Sequence, residues 1–119
     1  MSTETLNISY FRNGSNEFME MLSDSSIEWS KRQKFPEGTL VASSELIEIL
    51  KVIGGASIIP SLAAVIVEWL KRNGTREVVV KFRDFKVVHL RGYSTKEVEK
   101  ILEKTNDLTI IQTKPDERT

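Results

Sequence analysis

The sequence predicts a single α+β domain, and three observations lead there. Apolar residues alternate with polar ones at Leu6, Ile8 and Tyr10, the period of a half-buried strand, and a second run reads as a strand with Val78, Val80 and Phe82 on one face and Val79, Lys81 and Arg83 on the other. Leu62, Val65, Ile66, Trp69 and Leu70 recur at helical spacing. Strand-like and helix-like stretches are mixed along 119 residues with no linker long enough to divide them, so residues 1–111 form one domain and residues 112–119 a polar tail.

The elements follow in order. Residues 6–10 make the first strand. Arg12-Asn13-Gly14-Ser15-Asn16 is a turn, and Phe18, Met21 and Leu22 then mark a short helix that Ser23-Asp24-Ser25-Ser26 breaks. Ile27, Trp29 and Lys31 begin a second extended segment, which ends at Phe35-Pro36-Glu37-Gly38. Ser43 or Ser44 can cap a helix whose apolar face is Leu46, Ile47, Leu50 and Ile53. Gly54-Gly55 either ends that helix or kinks it. Ser57 can cap its continuation, with Pro60 in the first turn, Lys71 and Arg72 at the end, and Asn73-Gly74 as the stop.

Residues 77–83 and 86–91 then read as two strands joined at Arg83-Asp84-Phe85. Ser94-Thr95-Lys96-Glu97 is a capping-box pattern, with Val98, Ile101 and Leu102 on the inner face of the last helix. Leu108, Ile110 and Ile111 suit a final edge strand, whose open side offers a route to homodimers. The expected order is β-α-β-α-β-β-α plus that last strand. A Gly-broken apolar helix crosses a small sheet, and Leu46, Leu50, Leu62, Ile66, Trp69, Val78, Val80 and Phe82 contribute to the core.

Composition narrows the chemistry. Formal net charge is zero, which disfavours a dedicated nucleic-acid binder. There is no cysteine, so disulfides, thiolate nucleophiles and zinc-thiolate sites are excluded. The first residues have neither a basic n-region nor an apolar stretch, and the expectation is a cytoplasmic protein. His89, the one histidine, sits inside a strand pattern and reads as a half-exposed sheet residue rather than a base or ligand. No nucleophile turn, phosphate loop or metal-ligand spacing is present, so the chain reads as a non-enzyme with no cofactor and no metal.

Residues 52–70 raise the question of a membrane, because Glu68 is their only charge. Spanning needs about 20 predominantly apolar residues, and Gly54, Gly55, Ser57, Pro60 and Ser61 interrupt this run. Burial in a core explains the same composition, and membrane association is the disfavoured reading.

Charge is uneven: residues 1–30 carry a net −4 and residues 71–91 a net +5. Arg76, Lys81, Arg83, Lys86 and Arg91 are therefore the candidate residues for binding a protein partner, set against the plainer reading of a solvated strand face.

The pattern Glu45-Leu46-Ile47-Glu48-Ile49-Leu50, Ile53-Gly54-Gly55-Ala56, Leu62-Ala63-Ala64 and Glu68-Trp69-Leu70-Lys71-Arg72 resembles the effector-associated constant component proteins encoded in bacterial conflict and antiphage loci. The strands at 77–82 and 84–90 and the helix Ser94-Thr95-Lys96-Glu97-Val98-Glu99-Lys100-Ile101-Leu102 extend the likeness, which covers residues 6–102. Ile58-Ile59-Pro60 and the segment 108–111 depart from it. The resemblance implies a non-catalytic accessory or regulatory subunit that binds an effector protein. It carries over no site residues. A phage-encoded inhibitor of a host defence complex, and a small membrane-associated protein using residues 52–70, remain the alternatives.

Overall fold

Alternating burial along the strands places every helix on one side of the sheet. The computed structural model describes residues 5–11, 15–31, 44–53, 56–82, 84–105 and 107–112. Strand β1 (Thr5–Phe11) turns Leu6, Ile8 and Tyr10 inward and leaves Asn7 and Ser9 half-buried on the opposite face. Helix α1 (Ser15–Asp24) follows and buries Phe18 and Leu22, one turn apart. Next come β2 (Trp29–Lys31) and β3 (Ser44–Leu50), then the short ladder of β4 (Val52–Ile53) with β5 (Ala56–Ser57). Helix α2 (Ile59–Arg72), β6 (Arg76–Lys81), β7 (Val87–His89), α3 (Thr95–Glu103) and β8 (Asp107–Gln112) complete the chain.

Six strands form one mixed sheet in the order β2-β3-β1-β8-β6-β7. Only β1 and β8 run parallel. The register stacks Leu6 beside Ile49 and Ile8 beside Ile47, and sets Ile8 beside Leu108 and Val78 beside Ile110. These side chains form one core with Phe18, Leu62, Ile66, Trp69, Val98 and Leu102 of the helices. The result is a two-layer α+β domain with helices on one face and a half-exposed sheet on the other.

Several expected elements are in place. Ser94 caps α3, accepting from the Glu97 N–H while the Glu97 carboxylate accepts from the Ser94 N–H, which closes the capping box. Pro60 sits in the first turn of α2, where a missing N–H costs nothing. The Ser57 hydroxyl accepts from the Ile59 N–H, although Ile58 is the cap residue. Five expected core residues, Leu62, Ile66, Trp69, Val78 and Val80, are fully buried.

Other expectations are corrected. Residues 44–53 are not a helix: they hold β3 and β4. Ile47 and Ile49 are β-branched and two apart, and pairing with β1 and β2 buries both while turning Leu50 out to 45 % exposure. The broken helix is therefore strands followed by one 14-residue helix, α2. No helix among the described residues is long and apolar enough to cross a membrane.

The last strand, β8, is not an edge either. It lies between β1 and β6, so its side is not open for a second copy. Gln112, assigned to the polar tail, is the buried last residue of β8. Phe82 packs against the core without being fully buried. Phe35-Pro36-Glu37-Gly38, Gly54-Gly55 and the side chain of Leu46 lie outside the described residues.

Among the described residues the sheet ends at β7. The Leu90 N–H donates to the Val78 carbonyl (2.9 Å) and the Phe82 N–H to the Lys86 carbonyl (2.9 Å). With Val79 opposite His89 and Lys81 opposite Val87, this antiparallel phase makes Val88 the residue that exchanges bonds with Val80. Val87 and His89 consequently turn their own N–H and C=O groups away from β6. Amide hydrogen exchange checks the strand order: Leu108 and Ile110 in β8 should be protected close to the global unfolding limit, and Val87 and His89 hardly at all. Fast exchange throughout β8 would contradict its central place.

Candidate functional site

Arg76 opens β6 and shares the inward parity of Val78 and Val80, so its guanidinium enters the core at 1 % exposure. A guanidinium cannot shed its charge there and must be paired. Its Nε donates to the Gln112 Oε1 (2.6 Å), its Nη1 to the Trp69 carbonyl (2.9 Å) and its Nη2 to the Glu17 carboxylate. The planar group also lies over the Trp69 ring, 4.6 Å from its centroid, and Phe18 meets the same ring edge-on at 5.5 Å. Among the described residues no buried side-chain nitrogen or oxygen lacks a partner.

Glu17 binds a second cation, Arg72, at 2.6 Å. The Arg72 hydrogen bond first, then those from Arg76, hold the Glu17 carboxyl below the usual carboxylate range, against the opposing effect of partial burial. Arg91 is used structurally as well. Its guanidinium donates to the carbonyls of Leu70 (3.0 Å), Asn73 (2.9 Å) and Arg76 (2.7 Å), satisfying acceptors where α2 ends and β6 begins.

The five basic residues singled out from the sequence therefore do not form one face. Arg76 is a correction: it is buried on the helix side, because residue 76 has the parity of Val78. Arg91 is exposed but engaged with backbone carbonyls. Arg83 lies outside the described residues. Lys81 and Lys86 are exposed at the hairpin, and strand alternation sets Lys86 on the opposite side from Val87. His89 is exposed on the open face, with its Nδ1 3.2 Å from the Glu77 carboxylate.

The sequence places the bend at Arg83-Asp84-Phe85 but assigns no role to the tip of the β6–β7 hairpin. The Phe85 N–H donates to the Phe82 carbonyl (3.0 Å), and the tight turn leaves Phe85 with φ 69°. That left-handed backbone is ordinary for glycine and uncommon for a bulky side chain. Phe85 is nevertheless 78 % exposed, and Lys81 Nζ lies 5.5 Å from its ring centroid. Behind it a cleft of about 440 Å³ runs along the open sheet face between Val79, Lys81, Val87, Lys104 and Thr109. An aromatic residue between Asp84 and Lys86 at a bend was the available signal, since nothing in such a turn would cover it.

Among the described residues no group of three or more His, Asp or Glu side chains comes together to hold a metal ion. The cleft combines apolar side chains at Val79, Val87 and Phe85 with Lys81, Lys104, Asp107, Thr105 and Thr109.

The Glu17 contacts fix a pH dependence. A carboxyl whose pKa is lower folded than unfolded stabilises fully above its unfolded value, and that stability is lost as pH falls through the folded value. Urea midpoints should therefore hold near pH 7 and fall below about pH 4.3. Glu17→Gln should lower the neutral-pH midpoint and flatten the acid slope; an unchanged slope would show that Glu17 is not the group titrating. Compared with protein-family models, curated proteins and solved structures, the chain finds no match.

Proposed function

We propose that this protein is a non-catalytic accessory subunit of a bacterial antiphage conflict system, and that it binds its effector through the β6–β7 hairpin. The observation that carries the binding element is Phe85, a large aromatic side chain held outside the core on a backbone that favours glycine. Strain of that kind costs of order 1–3 kcal/mol and clusters at functional sites. The fold gains nothing from an exposed phenyl ring at that position, so its use is sought in a partner that covers it. The system itself is supplied by the resemblance to effector-associated constant component proteins.

Lys81 beside Phe85, and Lys104 across the cleft, give the contact its charge. Arg72, Arg76 and Arg91 are occupied within the fold and stand outside this surface.

Two variants test the reading. Phe85→Gly should raise stability by about 0.5–1 kcal/mol, through release of the left-handed strain, and should weaken capture of the effector. Lys81→Glu with Lys104→Glu should leave the fold intact and reduce stoichiometric recovery of the neighbouring gene product about tenfold or more. Undiminished recovery with both variants would sink the assignment.

A further inference from the structure

The hairpin tip is joined to a second feature, the outer side of β7, on which no described strand lies. Edge strands are usually guarded by lysine, proline or a bulge. The opposite edge, β2, carries Lys31. Strand β7 reads Val87-Val88-His89, with two residues of high strand propensity and no proline; its one flanking lysine is Lys86, whose carbonyl accepts from the Phe82 N–H at the end of the ladder. Val87 is 53 % exposed, and the register turns the N–H and C=O groups of Val87 and His89 outward. Side chains on the open face at this edge are apolar at Val87, with Lys81 directly across on β6.

We propose that β7 is a pairing edge, and that the partner contributes an extended segment which adds to the sheet as a seventh strand. The inference rests on the hairpin reading above and names the partner's chemistry. The segment carries an apolar and an acidic residue two positions apart, so that both lie on the open face, the apolar one against Val87 and Phe85 and the acidic one toward Lys81. Charge selects this occupant: among the described residues two lysines, Lys81 and Lys104, line the cleft against one acid, Asp107, which the β6–β8 register sets beside Lys81 on the side away from the edge. Main-chain bonds along residues 87–89 supply the register, and the cleft supplies the preference for side chains. A helix laid on the same patch would leave those outward backbone groups without partners.

A displayed library of random linear peptides, panned against the folded full chain, tests this. The expected result is enrichment of peptides that carry an apolar and an acidic residue two positions apart. These should bind Val87→Pro about tenfold or more weaker, because proline removes an outward N–H while the bonds of Val88 to Val80 remain. The leading peptide, N-methylated at alternate amides, should lose binding to the unaltered chain by a similar factor. That arm decides the matter if Val87→Pro fails to fold. Failure to enrich any peptide, or equal binding by the proline variant and the methylated peptide, would overturn strand addition. Peptides insensitive to both changes but lost with Lys81→Glu and Lys104→Glu would overturn it while leaving the hairpin reading in place.

Discussion

The structure depends on the burial of one guanidinium. Arg76 brings a permanent charge into the core, and an unpaired ion there would be penalised by several kcal/mol. Its partners come from every direction: Glu17 from α1, the Trp69 carbonyl from α2 and Gln112 from the end of β8. The Trp69 ring closes the remaining side. One side chain thus ties two helices to two strands. The register that sets Arg76 opposite Gln112 is also the register that stacks Val78 on Ile110. Moving β6 by one residue would strand the charge and turn the apolar face outward together.

That constraint explains how the basic stretch at residues 71–91 is used. Part of it is internal wiring: Arg72 holds Glu17, Arg76 fills the node, and Arg91 satisfies carbonyls at the α2–β6 turn. The rest is at the far end of β6, where Lys81 meets Phe85. Five residues of strand separate Arg76 from Lys81, about 17 Å. Changes at the two ends should therefore act independently, one on stability and the other on binding. The hairpin has the opposite character to the node. It keeps a strained backbone and an uncovered aromatic ring, while the node leaves no buried polar group unpaired.

The sequence announced much of this fold. Clean alternation at residues 6–10, the valine-rich run at 77–83, the capping box at Ser94 and the apolar stripe of α2 each fixed an element by local physics. Residues 44–50 were misread because Leu46, Ile47 and Leu50 fit helical spacing as readily as Ile47 and Ile49 fit a strand. A short apolar run does not separate the two, and pairing with β1 decided it. The place of β8 could not be read locally, since parallel pairing with β1 joins segments about a hundred residues apart.

At the candidate site, the parity of Arg76 with Val78 was legible and points inward. The capping role of Arg91 and the joining of Lys104 to Lys81 across a cleft exist only after folding. The outward phase of β7 is likewise a property of register, which residue types alone do not specify.

The most direct measurement of the node is a double-mutant cycle on Glu17→Gln and Arg76→Met, read by urea unfolding at pH 7. If the buried charge organises the fold as described, the two changes should couple by about 2 kcal/mol, since Glu17→Gln leaves the buried Arg76 without its ion pair and Arg76→Met leaves Glu17 with Arg72 alone. Additive effects, with coupling below about 0.5 kcal/mol, would mean that Arg76 is held by Trp69 and Gln112 alone and that Glu17 does not anchor α1 to it.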